Sequence, residues 1–263
     1  MTPRSSKIAR LFFSAIAGVI LATALFGSSA DAIDLYEIQI YTTETEALEH
    51  LELELHSNSV TTATGSEAHE NLRPYEIHET LEASYGLTPH IEIGQYLCTA
   101  KLGNGDYEYS GARTKVHFGI AATDAWPVRF GGNIELDYMR FQADDQPLSL
   151  EMRPIVETQF RQFTLVANLA FEKPFRGNDL GVDFSPSSEI TWSLFAWLTP
   201  AVEYYSDLGE LEDLGPVQGQ QHFIVPALNF NLLPQLELNA GVGFGLTRAS
   251  NGTFIKAIVG WDF

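Results

Sequence analysis

Three histidines sit among carboxylates early in the chain: His50 and His56 bracket Glu52 and Glu54, and His78 lies between Glu76 and Glu82. Imidazole and carboxylate together are the side chains that ligate zinc-type cations, but such a site needs three or four groups converging on one point. Ligands two or six residues apart along an extended chain do not guarantee that convergence, so the spacing alone predicts no metal and no cofactor. Ser57 follows His56 directly. A nucleophile needs a base at hydrogen-bonding distance and a third group to orient that base, and the sequence orders no such triad. No catalytic residue is assigned, and the chain is expected not to be an enzyme.

More informative is how the charged residues recur. His50, Glu52, Glu54, His56, Glu76, His78, Glu82 and Glu92 occupy every second position of extended stretches whose other positions are largely apolar. Further on, Lys115, His117, Arg129, Glu151, Arg153 and Lys173 fall on the corresponding polar faces. Alternation with period two is that of strands whose two faces meet different surroundings. Leu236 to Leu246 is the clearest case: one face is wholly apolar, and the other carries Glu237, Asn239, Gly241, Gly243 and Gly245.

Twelve such stretches follow one another, near 47–57, 75–85, 90–100, 113–121, 127–141, 148–158, 162–173, 187–197, 200–206, 219–231, 235–247 and 253–263. The first also reads as a helix, because Leu48, Leu51 and Leu55 would share a helical face. Connections between stretches alternate between long and short, as an up-and-down barrel with turns at one rim and loops at the other requires. Aromatic residues near the strand ends point to interfacial girdles: Tyr85, Trp126, Phe130, Phe163, Trp197, Tyr204 and Phe230 by short turns, Tyr75, Phe141, Phe171, Phe223 and Phe254 by long loops.

The N-terminus supplies the compartment. Arg4, Lys7 and Arg10 precede an apolar run from Leu11 to Phe26, and Ala30-Asp31-Ala32 closes the segment. This is the pattern of a secretory signal peptide, with residues 1–32 removed before Ile33. Beyond it no stretch is long and apolar enough for a spanning helix, so a membrane-crossing mature chain must be a closed barrel. The 263-residue chain carries a formal charge of −19; loss of three basic residues and Asp31 with the leader takes it to −21. So acidic a chain is not expected to bind nucleic acid. Cys98 is the one cysteine, so no intramolecular disulfide forms and this side chain is expected to pack as a small residue.

The chain ends Lys256-Ala257-Ile258-Val259-Gly260-Trp261-Asp262-Phe263, with Val259, Trp261 and Phe263 on one face. This ending resembles the closing strand of Gram-negative outer-membrane β-barrel proteins. Lys256, Trp261 and Phe263 match the family's polar, apolar and terminal aromatic positions, and Ile258 stands where glycine is usual. The resemblance implies recognition by the barrel assembly machinery, a place in the outer membrane among lipid and lipopolysaccharide, and kinship with porin-like and transporter-like barrels.

These readings give an all-β, antiparallel transmembrane β-barrel of about twelve strands over residues 47–263. Residues 33–46, with Tyr36, Ile38 and Ile40, form an extra strand, a periplasmic tail or a segment folded into the barrel. Twelve tilted strands imply a backbone diameter of roughly 24 Å, largely filled by side chains. The lumen charges either set a transverse field for permeating solutes or form a mutually satisfied salt-bridge network. Glycines 241, 243 and 245 leave room for solute or for another backbone. The expected function is a porin-like channel or transporter for small solutes through a narrow, polar, acid-rich lumen. The other readings are an outer-membrane lipid or peptide hydrolase and a plugged structural barrel.

Overall fold

In the computed structural model, strict alternation of facing makes every polar-apolar stretch a strand. The residues described are 33–62, 76–120, 127–140, 147–176, 180–250 and 252–263, so the expected leader lies outside them. The strands are β1 (Leu51–Thr62), β2 (Ile77–Thr88), β3 (Ile91–Lys101), β4 (Tyr107–Ile120), β5 (Val128–Met139), β6 (Leu148–Phe160), β7 (Phe163–Arg176), β8 (Asp183–Trp192), β9 (Leu198–Asp207), β10 (Gln221–Leu233), β11 (Leu236–Gly245) and β12 (Thr253–Asp262). Each pairs antiparallel with its sequence neighbours, and β1 pairs with β12 to close the barrel. The stretch that also read as a helix is strand β1, because both its neighbours offer a ladder and its Leu and Glu residues then separate cleanly by face.

Several boundaries differ from expectation. β1 runs from 51 to 62 rather than 47 to 57, and β4 starts at Tyr107, taking in residues expected to form a long loop. β8 ends at Trp192 and β9 begins at Leu198, so Leu198 and Thr199 belong to a strand. The connection between them is residues 193–197, closed by a bridge between Phe195 and Leu198. The β6–β7 hairpin turns on Arg161 and Gln162, and Arg161 takes a left-handed φ of 57°, as tight hairpins demand.

Outward faces are apolar and exposed, among them Leu97, Ile134, Leu136, Val202, Val242 and Ile255. At the short-turn rim stacked rings form a girdle: Phe163 on Trp192, and Trp197 between Phe195 and Phe230. Tyr107, Tyr109, Tyr138 and Phe175 are exposed at the long-loop rim. Two aromatics expected there, Phe223 and Phe254, instead point inward and are fully buried against each other. Strand parity decides this, since Phe223 shares a face with Val225 and Ala227, and Phe254 shares one with Lys256. Tyr204 lies in the upper half of β9, hydrogen-bonded to His222, rather than by a short turn. Trp126, Tyr75 and Phe141 lie outside the described residues.

Candidate functional site

The lumen is divided lengthwise into a filled half and an open half, and residues 33–47 make the division. This segment, here called the strap, descends inside the barrel from the long-loop end to the short-turn end. Ile33 N–H donates to Gln221 at the top of β10, and Asn58 of β1 donates to the Leu35 carbonyl. Lys256 of β12 donates to the Ile38 carbonyl. At mid-height Asn168 of β7 accepts from Tyr41 N–H and donates to Tyr41 C=O, as a neighbouring strand would. Lower down, Thr43 donates twice to Glu157, Glu44 C=O lies 2.9 Å from His117 Nε2, and Glu46 N–H donates to Glu92. Side chains of the wall thus supply the hydrogen bonds that this irregular backbone must find when buried.

Glycine makes room for the strap at two places. A Cβ at Gly119 would collide with the Thr43 carbonyl, and one at Gly86 with the Ala47 carbonyl. The glycines expected to admit a backbone do something else: at Gly243 a Cβ would meet the Phe254 ring, and at Gly241 it would meet Val225 and Ala227 side chains. Those residues join Leu35, Ile38, Val60, Tyr205 and Phe223 in a buried apolar cluster within the upper lumen. Cys98 packs as expected, in a second cluster with Tyr36, Tyr96 and Met139.

Ion pairs fill the polar remainder of the interior. Arg113 binds Asp34 and Glu37 of the strap at 2.5 and 2.7 Å. Arg153 holds Glu151 at 2.6 Å and reaches Glu37 at 3.5 Å. Lys115 bridges Glu82 and Glu92, Arg129 pairs with Glu157 and Glu44, and Lys256 binds Glu203 at 2.7 Å. Tyr41, at the centre, is hydrogen-bonded to Glu37 and Tyr96 and lies under Lys115 and Arg153.

Beside the lower part of the strap, a cavity of about 750 Å³ reaches the short-turn rim, where Glu46, Pro234, Gln235 and Asp262 line its edge. Eleven carboxyl groups line it against three basic side chains, Lys115, Arg129 and Lys256. A narrow space with such an excess of one sign focuses a field that concentrates cations and repels anions.

The residues expected in the lumen take different places. Glu52, Glu54, Glu82, Glu92, Lys115, His117 and Arg129 line the vestibule. His56, Glu76, His78 and Arg153 are buried inside the barrel, with His78 edge-on to Tyr36 of the strap. Glu151 pairs with Arg153, and Lys173 donates to the Leu180 and Gly181 carbonyls near the long-loop end. His50 does not enter the lumen proper: it lies half-exposed at the rim, 3.4 Å from Asp262. Of the three histidines, only His56 has two carboxylates within reach, those of Glu54 and Glu82. Ser57 turns to the opposite face from His56, as strand geometry requires, so that pair assembles no nucleophile. Lys256, read from the sequence as part of the closing-strand signal, is a buried lumen cation, while Trp261 and Phe263 of the same signal pack edge to face at the outer rim. Arg113, Glu157, Asn168 and Glu203 were not among those candidates, although their inward facing follows from the same alternation.

A closed antiparallel barrel with an apolar exterior, two aromatic rims and a polar bore is the architecture of outer-membrane porins and channels. Solved structures with this fold include the COG4313 outer membrane channel from Pseudomonas putida F1 (TM-score 0.63, 9% identity, covering 86% of this chain and 100% of that one). The KdgM porin (TM-score 0.55, 8% identity, 81% and 99%) and the NanC porin (TM-score 0.53, 9% identity, 81% and 98%) share it too. The chain thus shares the fold of porin-like outer-membrane barrels. A search of protein-family models finds no match, and a search of curated proteins finds no significant one.

Proposed function

We propose that this protein is a porin-like outer-membrane channel or transporter for small solutes, without catalytic activity, whose acidic vestibule favours cationic and neutral solutes over anionic ones. The observation that carries this reading is the cavity of about 750 Å³ at the short-turn end, where carboxyl groups far outnumber basic ones. Shared architecture with outer-membrane channels supports it. The KdgM porin has been captured with oligogalacturonate, a polyanion. The vestibule here has the opposite electrostatic preference, so a ligand of that sign is not its solute.

The strap is the gate of this reading, and its hydrogen bonds with β1, β3, β4, β6, β7, β10 and β12 also support the alternative of a permanently plugged barrel. Planar-bilayer recordings of the intact mature protein and of a form lacking residues 33–46 separate the two. A channel gives stepwise, cation-selective currents from the intact protein, changed when Glu82 or Arg153 is neutralised. Silence from the intact protein with current only from the shortened form establishes the plug. Silence from both defeats the channel reading.

A further inference from the structure

We propose that Glu54, His56 and Glu82 form a binding site for one divalent cation of the zinc type, set in the lumen wall where β1 meets β2. The placement follows from register. Glu54 stands directly opposite Glu82 across the β1–β2 ladder, and His56 is two residues along β1 on the same inward face. Like charges directly opposite each other across a strand pair destabilise it unless something lies between them.

The geometry fits a cation. Ligand atoms about 2.1 Å from a tetrahedral ion stand roughly 3.4 Å apart. His56 Nε2 lies 3.3 Å from Glu54 Oε2 and 3.5 Å from Glu82 Oε2. One ligand atom from each of the three side chains falls within 4.8 Å of the other two. Glu82 is 1% exposed, and its Oε2 accepts no hydrogen bond. Its other oxygen is fully occupied, by Lys115 Nζ at 2.6 Å and Ser84 Oγ at 2.8 Å. These two partners fix the carboxylate with its free oxygen aimed at His56, the role outer-shell groups play around a bound metal. His56 is itself fully buried; its Nε2 is hydrogen-bonded to Glu54 Oε2, and its Nδ1 has no hydrogen-bond partner.

Charge points the same way. Glu54 and Glu82 share this corner with Lys115, whose ammonium is divided between Glu82 and Glu92. A divalent cation offsets the remaining negative charge. Glu54 and Glu82 line the vestibule, which gives an ion a route to the site from the short-turn end. One imidazole and two carboxylates suit zinc and its first-row neighbours better than the all-oxygen preference of calcium or magnesium.

The test is calorimetric titration of the intact mature protein, folded in detergent and stripped with chelator, using Zn²⁺, with Co²⁺ absorption as a second readout. One equivalent of Zn²⁺ binds, and Co²⁺ gives the visible bands of a tetrahedral site. H56Q and E54Q each weaken binding at least roughly tenfold, while H50Q, at the rim, leaves it unchanged. Heat-modifiable gel migration verifies that each variant is folded; E54Q, on the vestibule side, carries the test if H56Q does not fold. Absence of stoichiometric binding to the wild-type protein overturns the proposal. So does a titration unchanged in H56Q and E54Q, which would leave His56 simply set between two carboxylates and any zinc in the general acidity of the vestibule. Neither result bears on conduction, which is measured separately.

Discussion

The two halves of the lumen solve opposite problems with the same alternating strands. Near the long loops the inward positions hold Phe223, Val225, Ala227 and Phe254, and the strap lays Leu35 and Ile38 on them as in a soluble core. Near the short turns the inward positions hold Glu52, Glu54, Glu237 and Asn239, which line an open cavity. Alternation therefore specifies which residues face in, but not whether the interior is packed or wet. That depends on what the inward residues are and on whether another piece of chain reaches them.

The comparison is broken most completely by removing the strap. A mature form lacking residues 33–46 is expected to have single-channel conductance roughly 3- to 10-fold above the intact protein in planar bilayers, because the bore then opens at both ends. Next is Lys256→Met. It leaves Glu203 buried without its cation and the Ile38 carbonyl without its donor. Breaking a buried pair from one side costs about 3 kcal/mol, to be read as a lower urea midpoint for unfolding from detergent or lipid.

A smaller effect is expected from Asn168→Ala, which leaves the Tyr41 N–H and C=O unpaired at about 1–3 kcal/mol in all. Hydrogen exchange of residues 38–44 should accelerate while the barrel amides stay protected. The smallest change sharpens the electrostatic side of the contrast. Glu52→Gln combined with Glu237→Gln is expected to lower the cation-to-anion permeability ratio by about twofold, seen as a reversal-potential shift in a salt gradient. A matched change in the upper half, Glu76→Gln, should leave that ratio where it was.

The barrel was legible because its signal is local. Two-sided strands such as Leu236 to Gly245 declare themselves within ten residues, and the order of long and short connections then dictates an up-and-down closure. What escaped was non-local. Residues 33–46 offer only the short alternation of Tyr36, Ile38 and Ile40, which left open an extra strand, a periplasmic tail or a segment folded into the barrel, and their partners Asn58, Asn168, Glu157 and Lys256 are scattered over four strands. Phe223 and Phe254 were misplaced because an apolar residue facing inward makes sense only if something apolar enters the lumen. The cluster at Glu54, His56 and Glu82 was hidden for a third reason: it depends on the β1–β2 register, which the sequence joining those strands is too long to fix. Had Glu82 slipped by two residues, the pair of facing carboxylates would not exist.

The barrel's one seam, between β12 and β1, has a consequence for its mechanics. A cylinder rolled from a single ribbon can spring apart only where its two long margins meet, since every other join is backed by a turn. The strap is tied to both margins, through Asn58 on one lip and Lys256 on the other. The same residues that fill the bore thus act as a rivet, and loosening them slackens the hoop at its weakest line.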